Sequence, residues 1–81
     1  MKTSIVSRKI ELTDGMRDYI EKRIAKLDKF FGNDADAKVT ISVEKNRHRV
    51  ETTILSHNTI FRVDEITEDM YKSVDKAIDS I

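Results

Sequence analysis

The residues best equipped for chemistry in this chain are cations on one stretch. Lys22, Arg23, Lys26 and Lys29 recur at helical spacing, with Tyr19 and Phe30 close by. On a helix with Met16 at the origin, Lys29, Lys22 and Lys26 fall at about 220°, 240° and 280°, and Arg23 near 340°. Tyr19 and Phe30 fall at about 300° and 320°, beside the lysines, while Asp28, Glu21 and Asp18 occupy about 120° to 200°. Base and acid thus have separate flanks. Ammonium groups in a row meet successive phosphates of a polyanion and release counterions, and neighbouring rings stack on unpaired bases. The plainer reading is a solvated helix face whose lysine stems cover Tyr19 and Phe30. An Asp18 to Lys22 pair, in the favourable i,i+4 order, fits that reading but is worth only about 0.3 kcal/mol.

Lys72 and Lys76 form a smaller basic pair on a second helical segment, and two helices side by side could join their lysines into one surface. Lys45, Arg47, His48 and Arg49 read as a basic hairpin tip, for which a solvated turn is the simpler account. His48 and His57 are the only histidines and stand in no metal-ligand spacing. Asp64, Glu65, Glu68 and Asp69 lack the glycine-turn loop that calcium requires, and acids at a helix N-terminus explain them better. No nucleophile stands near a base, no carboxylate pair suggests a cleft, and no glycine-rich loop could hold phosphate. Neither a catalytic residue, a metal nor a cofactor is expected.

Bulk properties narrow the class further. Eighty-one residues support one modest core, so residues 1–81 are expected to form a single domain. With no cysteine, stability must come from packing, which agrees with a reducing compartment. There is no apolar run for a membrane span or a secretory signal, so the expected location is the cytoplasm and no membrane partner is expected. The formal net charge is zero, yet residues 1–49 carry 12 Lys/Arg against 8 Asp/Glu and residues 50–81 carry 3 against 7. A neutral chain can therefore still present a basic face.

The elements that must position these groups follow from periodicity. A first strand is expected over residues 3–9 around Ile5 and Val6. Thr13 is a fitting N-cap and Gly32 a fitting terminator for a helix over 14–31, whose core arc gathers Met16, Ile20, Ile24, Leu27 and Phe31. Three strands follow, over 38–45, 50–55 and 59–64. Short connections at Asn46-Arg47 and His57-Asn58 make them an antiparallel meander. A last helix begins after Thr67 as N-cap and buries Met70, Val74, Ala77, Ile78 and Ile81. The order β-α-β-β-β-α makes the first strand parallel to the second. It predicts an α+β two-layer sandwich, a four-stranded mixed sheet with two helices on one face and the other face wet.

Certain segments carry a family resemblance: Ile10-Glu11-Leu12-Thr13, the run from Arg23 through Lys26 and Lys29 to Phe30, and Glu68-Asp69-Met70-Tyr71. The chain resembles, over essentially its whole length, the N-terminal domain of the ribosome hibernation-promoting and ribosome-associated inhibitor (protein Y) family. The resemblance implies a fold arranged like double-stranded-RNA-binding domains. It also implies binding of the small ribosomal subunit and its 16S-type rRNA, not DNA, in the decoding region. There the domain would block messenger RNA and tRNA anticodons and idle translation in stress and stationary phase. The family's basic positions correspond here to Arg8, Arg23, Lys26 and Lys29, to which the helical stripe adds Lys22, and Lys72 and Lys76 complete the expected rRNA-binding set. The family's second helix usually runs on into a Lys/Arg-rich stretch, whereas this chain stops at Ile81. Either it is part of a longer protein with a C-terminal dimerisation domain, or a principal RNA contact is missing. A contrasting reading, from the residues alone, is a protein-interaction or dimerisation module that uses the sheet edge or the open sheet face.

Overall fold

The computed structural model describes residues 1–32 and 34–81. Its elements are β1 (Lys2–Arg8), α1 (Asp14–Ala25), α2 (Asp28–Phe31), β2 (Asp36–Glu44), β3 (Arg47–Ser56), β4 (Thr59–Thr67) and α3 (Met70–Asp79). The four strands form one sheet in the order β1-β2-β3-β4. β1 runs parallel to β2, with Ile5 opposite Val39, and the other pairs are antiparallel. The expected two-layer α+β sandwich with its mixed sheet is the fold found.

Alternation along the strands builds the core. Ala37, Val39 and Ile41 on β2 meet Ile54, Thr52 and Val50 on β3, and all six are buried. Met16, Ile20 and Ile24 of α1 and Met70, Val74, Ala77 and Ile78 of α3 close the same side. On the opposite face the sheet shows Arg8, Lys38, Thr40, Arg49, Glu51 and Arg62, the wet side that the polar register requires.

Three local expectations need correction. The helix expected over 14–31 stops at Ala25. There Lys26 N–H bonds to Arg23 O and Leu27 N–H to Ile24 O, three residues back, which tightens the ladder before α2 begins. The break keeps Leu27 buried while Phe31 turns to the sheet end and meets the Phe61 ring edge-on at 5.1 Å. Gly32 then ends α2 with φ 80°, the positive value that favours glycine.

The β2–β3 turn falls on Lys45-Asn46, not Asn46-Arg47, so Arg47, His48 and Arg49 belong to strand β3. The His57-Asn58 turn lies where expected, and both residues have positive φ, 50° and 62°, as a type I′ hairpin requires. Asp69, not Thr67, caps α3, accepting from Tyr71 N and Lys72 N at 2.8 and 3.3 Å. Thr67 instead bonds Ser73 Oγ at 2.7 Å, and buried Ser73 donates to His48 O at 2.6 Å, which pins the helix start to β3.

Candidate nucleic-acid interface

Thr13 Oγ1 accepts from Met16 N at 3.2 Å and so fixes the start of α1 and the rotation of everything after it. With Met16, Ile20 and Ile24 turned inward, Lys22 and Lys26 are exposed on the outer face, and Lys29 follows them on α2. None of these three takes part in an ion pair among the described residues, and the Asp18 to Lys22 pair is not formed. Lys29 Nζ lies 5.1 Å from the centroid of the Phe30 ring, which is 70% exposed. These exposed residues, carried across the break between α1 and α2, therefore offer three uncompensated ammonium groups, the last beside an open aromatic ring.

Arg23 is placed differently. Its Nε lies 3.1 Å from Asp75 Oδ1 and its Nη2 3.3 Å from Asp79 Oδ1, so the guanidinium bridges α1 to α3. Tyr19 joins the same seam: its hydroxyl donates to Asp75 Oδ1 at 2.6 Å, and its ring meets Tyr71 edge-on at 4.9 Å. Both groups are committed to holding the two helices together. Asp75 and Asp79 repeat at i,i+4 on α3, and nothing local in the sequence announces that their partner lies on α1.

That carboxylate strip also answers whether the lysines of the two helices merge. Wound from Met70, Tyr71, Asp75 and Asp79 occupy about 100° to 180° of α3 and face α1, while Lys72 and Lys76 lie farther round at about 200° to 240°. The acids separate the two basic patches. Lys72 Nζ is 3.6 Å from Glu68 Oε1, and Lys76 has no ion pair among the described residues. Arg8 ends β1 on the open face, beyond the sheet from all the helix cations. The seven expected residues thus lie in four places: the α1–α2 stripe, the seam, the far side of α3, and the open face.

Of the four acids expected at a helix N-terminus, Asp69 caps α3 and Glu68 precedes it, whereas Asp64 and Glu65 lie within β4. Arg49 Nε donates to Asp64 Oδ1 at 2.9 Å, with a second bond to Oδ2, and lies 3.4 Å from Glu51. Those hydrogen bonds hold the Asp64 carboxyl below the usual carboxylate range against the opposing effect of burial. Among the described residues no three His, Asp or Glu side chains gather in a metal-holding group. No helix among them is long and apolar enough to cross a membrane.

The seam makes a testable titration. The hydrogen bond to Asp75, then burial, then the Asp75 charge push the Tyr19 phenol above the ordinary tyrosine value. A raised folded-state value means that this contact stabilises fully below the unfolded pKa of about 10 and is lost as pH rises through the folded one. Phenolate absorbance during an alkaline titration should show a late component that Tyr19→Phe removes. The variant's urea midpoint should also fall less between pH 8 and strongly alkaline solution than the wild type's.

By architecture this is a small two-layer α+β domain that carries a basic stripe on its helical side. Residues 3–81 match the sigma 54 modulation protein / S30EA ribosomal protein family. The chain belongs to that family. It is 37% identical over 78 residues to the ribosome hibernation promotion factor of Lactococcus lactis, covering 93% of this chain and 42% of that protein. The corresponding protein of Deinococcus radiodurans is 36% identical over 77 residues, covering 89% of this chain and 40% of the relative. The chain thus spans about two fifths of the length of these relatives. Among solved structures, the Thermus thermophilus Protein Y N-terminal domain superposes with a TM-score of 0.92 at 33% identity, covering 99% of this chain and 90% of that one. A ribosomal subunit interface protein from Coxiella burnetii shares the fold, with a TM-score of 0.86 at 14% identity and coverage of 99% and 88%.

Proposed function

We propose that this domain binds the ribosome and keeps it idle, with Lys22, Lys26 and Lys29 set against rRNA of the small subunit. The observation that carries the reading is the uncompensated lysine stripe, because it occurs on a chain whose relatives are named ribosome hibernation factors. In the decoding region a rigid domain would occupy the channel needed by messenger RNA and tRNA anticodons, so inhibition is steric and needs no bond-making step. Phe30, open beside Lys29, is suited to stack on an unpaired base. Arg8, Lys72 and Lys76 would add contacts only where RNA wraps beyond the stripe, and Arg23 would serve by orienting α1 against α3.

Co-sedimentation with purified small and large subunits over a salt series tests this. The expected result is pelleting with the small subunit, with log K falling against log salt at a slope of about −2 to −3 for the roughly three phosphates that Lys22, Lys26 and Lys29 neutralise. Equal pelleting with the large subunit, or binding indifferent to salt, would overturn the assignment.

A further inference from the structure

β4 is the last strand of the sheet, and its outer edge has no partner strand among the described residues. It pairs with β3 without a bulge over all nine residues, and its sequence, TIFRVDEIT, holds no proline, lysine or glycine. Proline, lysine and bulges are among the usual devices that keep an edge from pairing, and the charges that β4 does carry, Arg62, Asp64 and Glu65, are of both signs. Ile60, Phe61 and Ile66 are 60%, 43% and 41% exposed. Arg62 is exposed and enters no ion pair among the described residues.

Which backbone groups face outward follows from the turn. Ser56 and Thr59 close the two-residue His57-Asn58 hairpin and so form a hydrogen-bonded pair. Thr59, Phe61, Val63, Glu65 and Thr67 therefore turn their peptide groups toward β3. Ile60, Arg62, Asp64 and Ile66 turn theirs to the free edge.

We infer that β4 is a self-pairing edge, which joins a second copy of this chain in an antiparallel register centred on Val63. In that register Ile60 lies opposite Ile66 of the second copy and Arg62 opposite its Asp64, each twice by symmetry. All four are residues whose peptide groups point outward, so the side-chain matches fall on hydrogen-bonded pairs. Registers two residues to either side set Arg62 against Arg62 or Asp64 against Asp64, and like charges directly opposite destabilise a pair. The other free edge lacks this property: β1 centred on Ile5 brings Lys2 opposite Arg8. Asp64 already accepts from Arg49, and a carboxylate has lone pairs for a second guanidinium, so Arg49, Asp64 and the incoming Arg62 would form one chain of charge. The product is a continuous eight-stranded sheet with both helical layers on the same side.

A strand-edge contact is smaller than a standard stable interface, so association belongs in the range of about 10 μM to 1 mM. Sedimentation velocity across that range, with amide hydrogen exchange at both ends of it, reads the proposal. The wild type should approach twice the monomer mass, with exchange slowed at Ile60, Arg62, Asp64 and Ile66 and little changed on β1. Arg62→Asp should weaken association at least about tenfold, as should Asp64→Arg, and an equimolar mixture of the two variants should restore it by pairing unlike edges. If Asp64→Arg does not fold, the exchange pattern and Arg62→Asp decide. A wild type that stays monomeric to about 1 mM, or a dimer that Arg62→Asp leaves intact, would overturn the inference.

Discussion

Reversing Lys22, Lys26 and Lys29 to Glu abolishes ribosome binding in the expected outcome, while the circular dichroism spectrum and melting temperature stay close to wild type. Each phosphate contact contributes about 0.7 to 0.9 to log K per decade of salt dilution below 1 M. Three lost contacts therefore cost roughly 100-fold or more in 0.1 M salt, and three carboxylates facing phosphate increase the loss. The same side chains contribute little to folding, since none has an ion-pair partner among the described residues and surface changes usually cost under about 0.5 kcal/mol each. Replacing the three by Gln separates the two effects: the salt slope should flatten by about 2 to 3, and what affinity remains should be less sensitive to salt. A folded Glu variant that pellets with small subunits as the wild type does would remove the stripe from the mechanism.

The largest effect on stability is expected at Ile41. It is fully buried at the centre of the sheet, opposite Val50, with the helical layer above it. Ile41→Ala removes three carbons from a close-packed site and costs about 2 to 5 kcal/mol, of a total that is about 4 to 12 kcal/mol for a domain of this size. At about 4 to 8 °C per kcal/mol, the melting temperature should drop by roughly 10 to 40 °C. Ile60→Ala is the matched control, with identical chemistry on an exposed strand position, and should change the unfolding free energy by no more than about 0.5 kcal/mol. Equal losses at the two positions in urea denaturation would contradict the assignment of the inner face.

What could be read in advance is what local periodicity encodes. The alternation of Val39, Ile41 and Val43 against Lys38, Thr40 and Ser42 contains the strand, its inner face and the wet opposite face. The spacing of Met16, Ile20 and Ile24 sets the rotation of α1 and thereby the outward direction of Lys22 and Lys26. The break after Ala25 was not legible, because neither Lys26 nor Leu27 is a helix breaker and the tightening comes from fitting Leu27 and Phe31 onto the sheet. Thr67 and Asp69 are both good caps, and Thr67 is instead held in a local turn with Asp69 and against Ser73, whose hydroxyl is fixed to His48 of β3 when α3 docks. Arg23 shows the limit most clearly. On the wheel it belongs to the basic stripe, but the carboxylates that claim it are on another helix, and distant pairing leaves no periodic trace.

The parallel pairing of β1 with β2 has a consequence for the order of assembly. β2, β3 and β4 are joined by two-residue turns, so each finds its neighbour almost at once, and α3 follows directly. β1 is synthesised before the meander, yet Lys2 finds Asp36 and Arg8 finds Ser42, partners made more than thirty residues later. Among the strand pairings, closing that loop carries the largest chain-entropy cost. The meander can therefore nucleate without β1, which waits for a template, and on opening β1 is the strand whose release gives back most chain freedom.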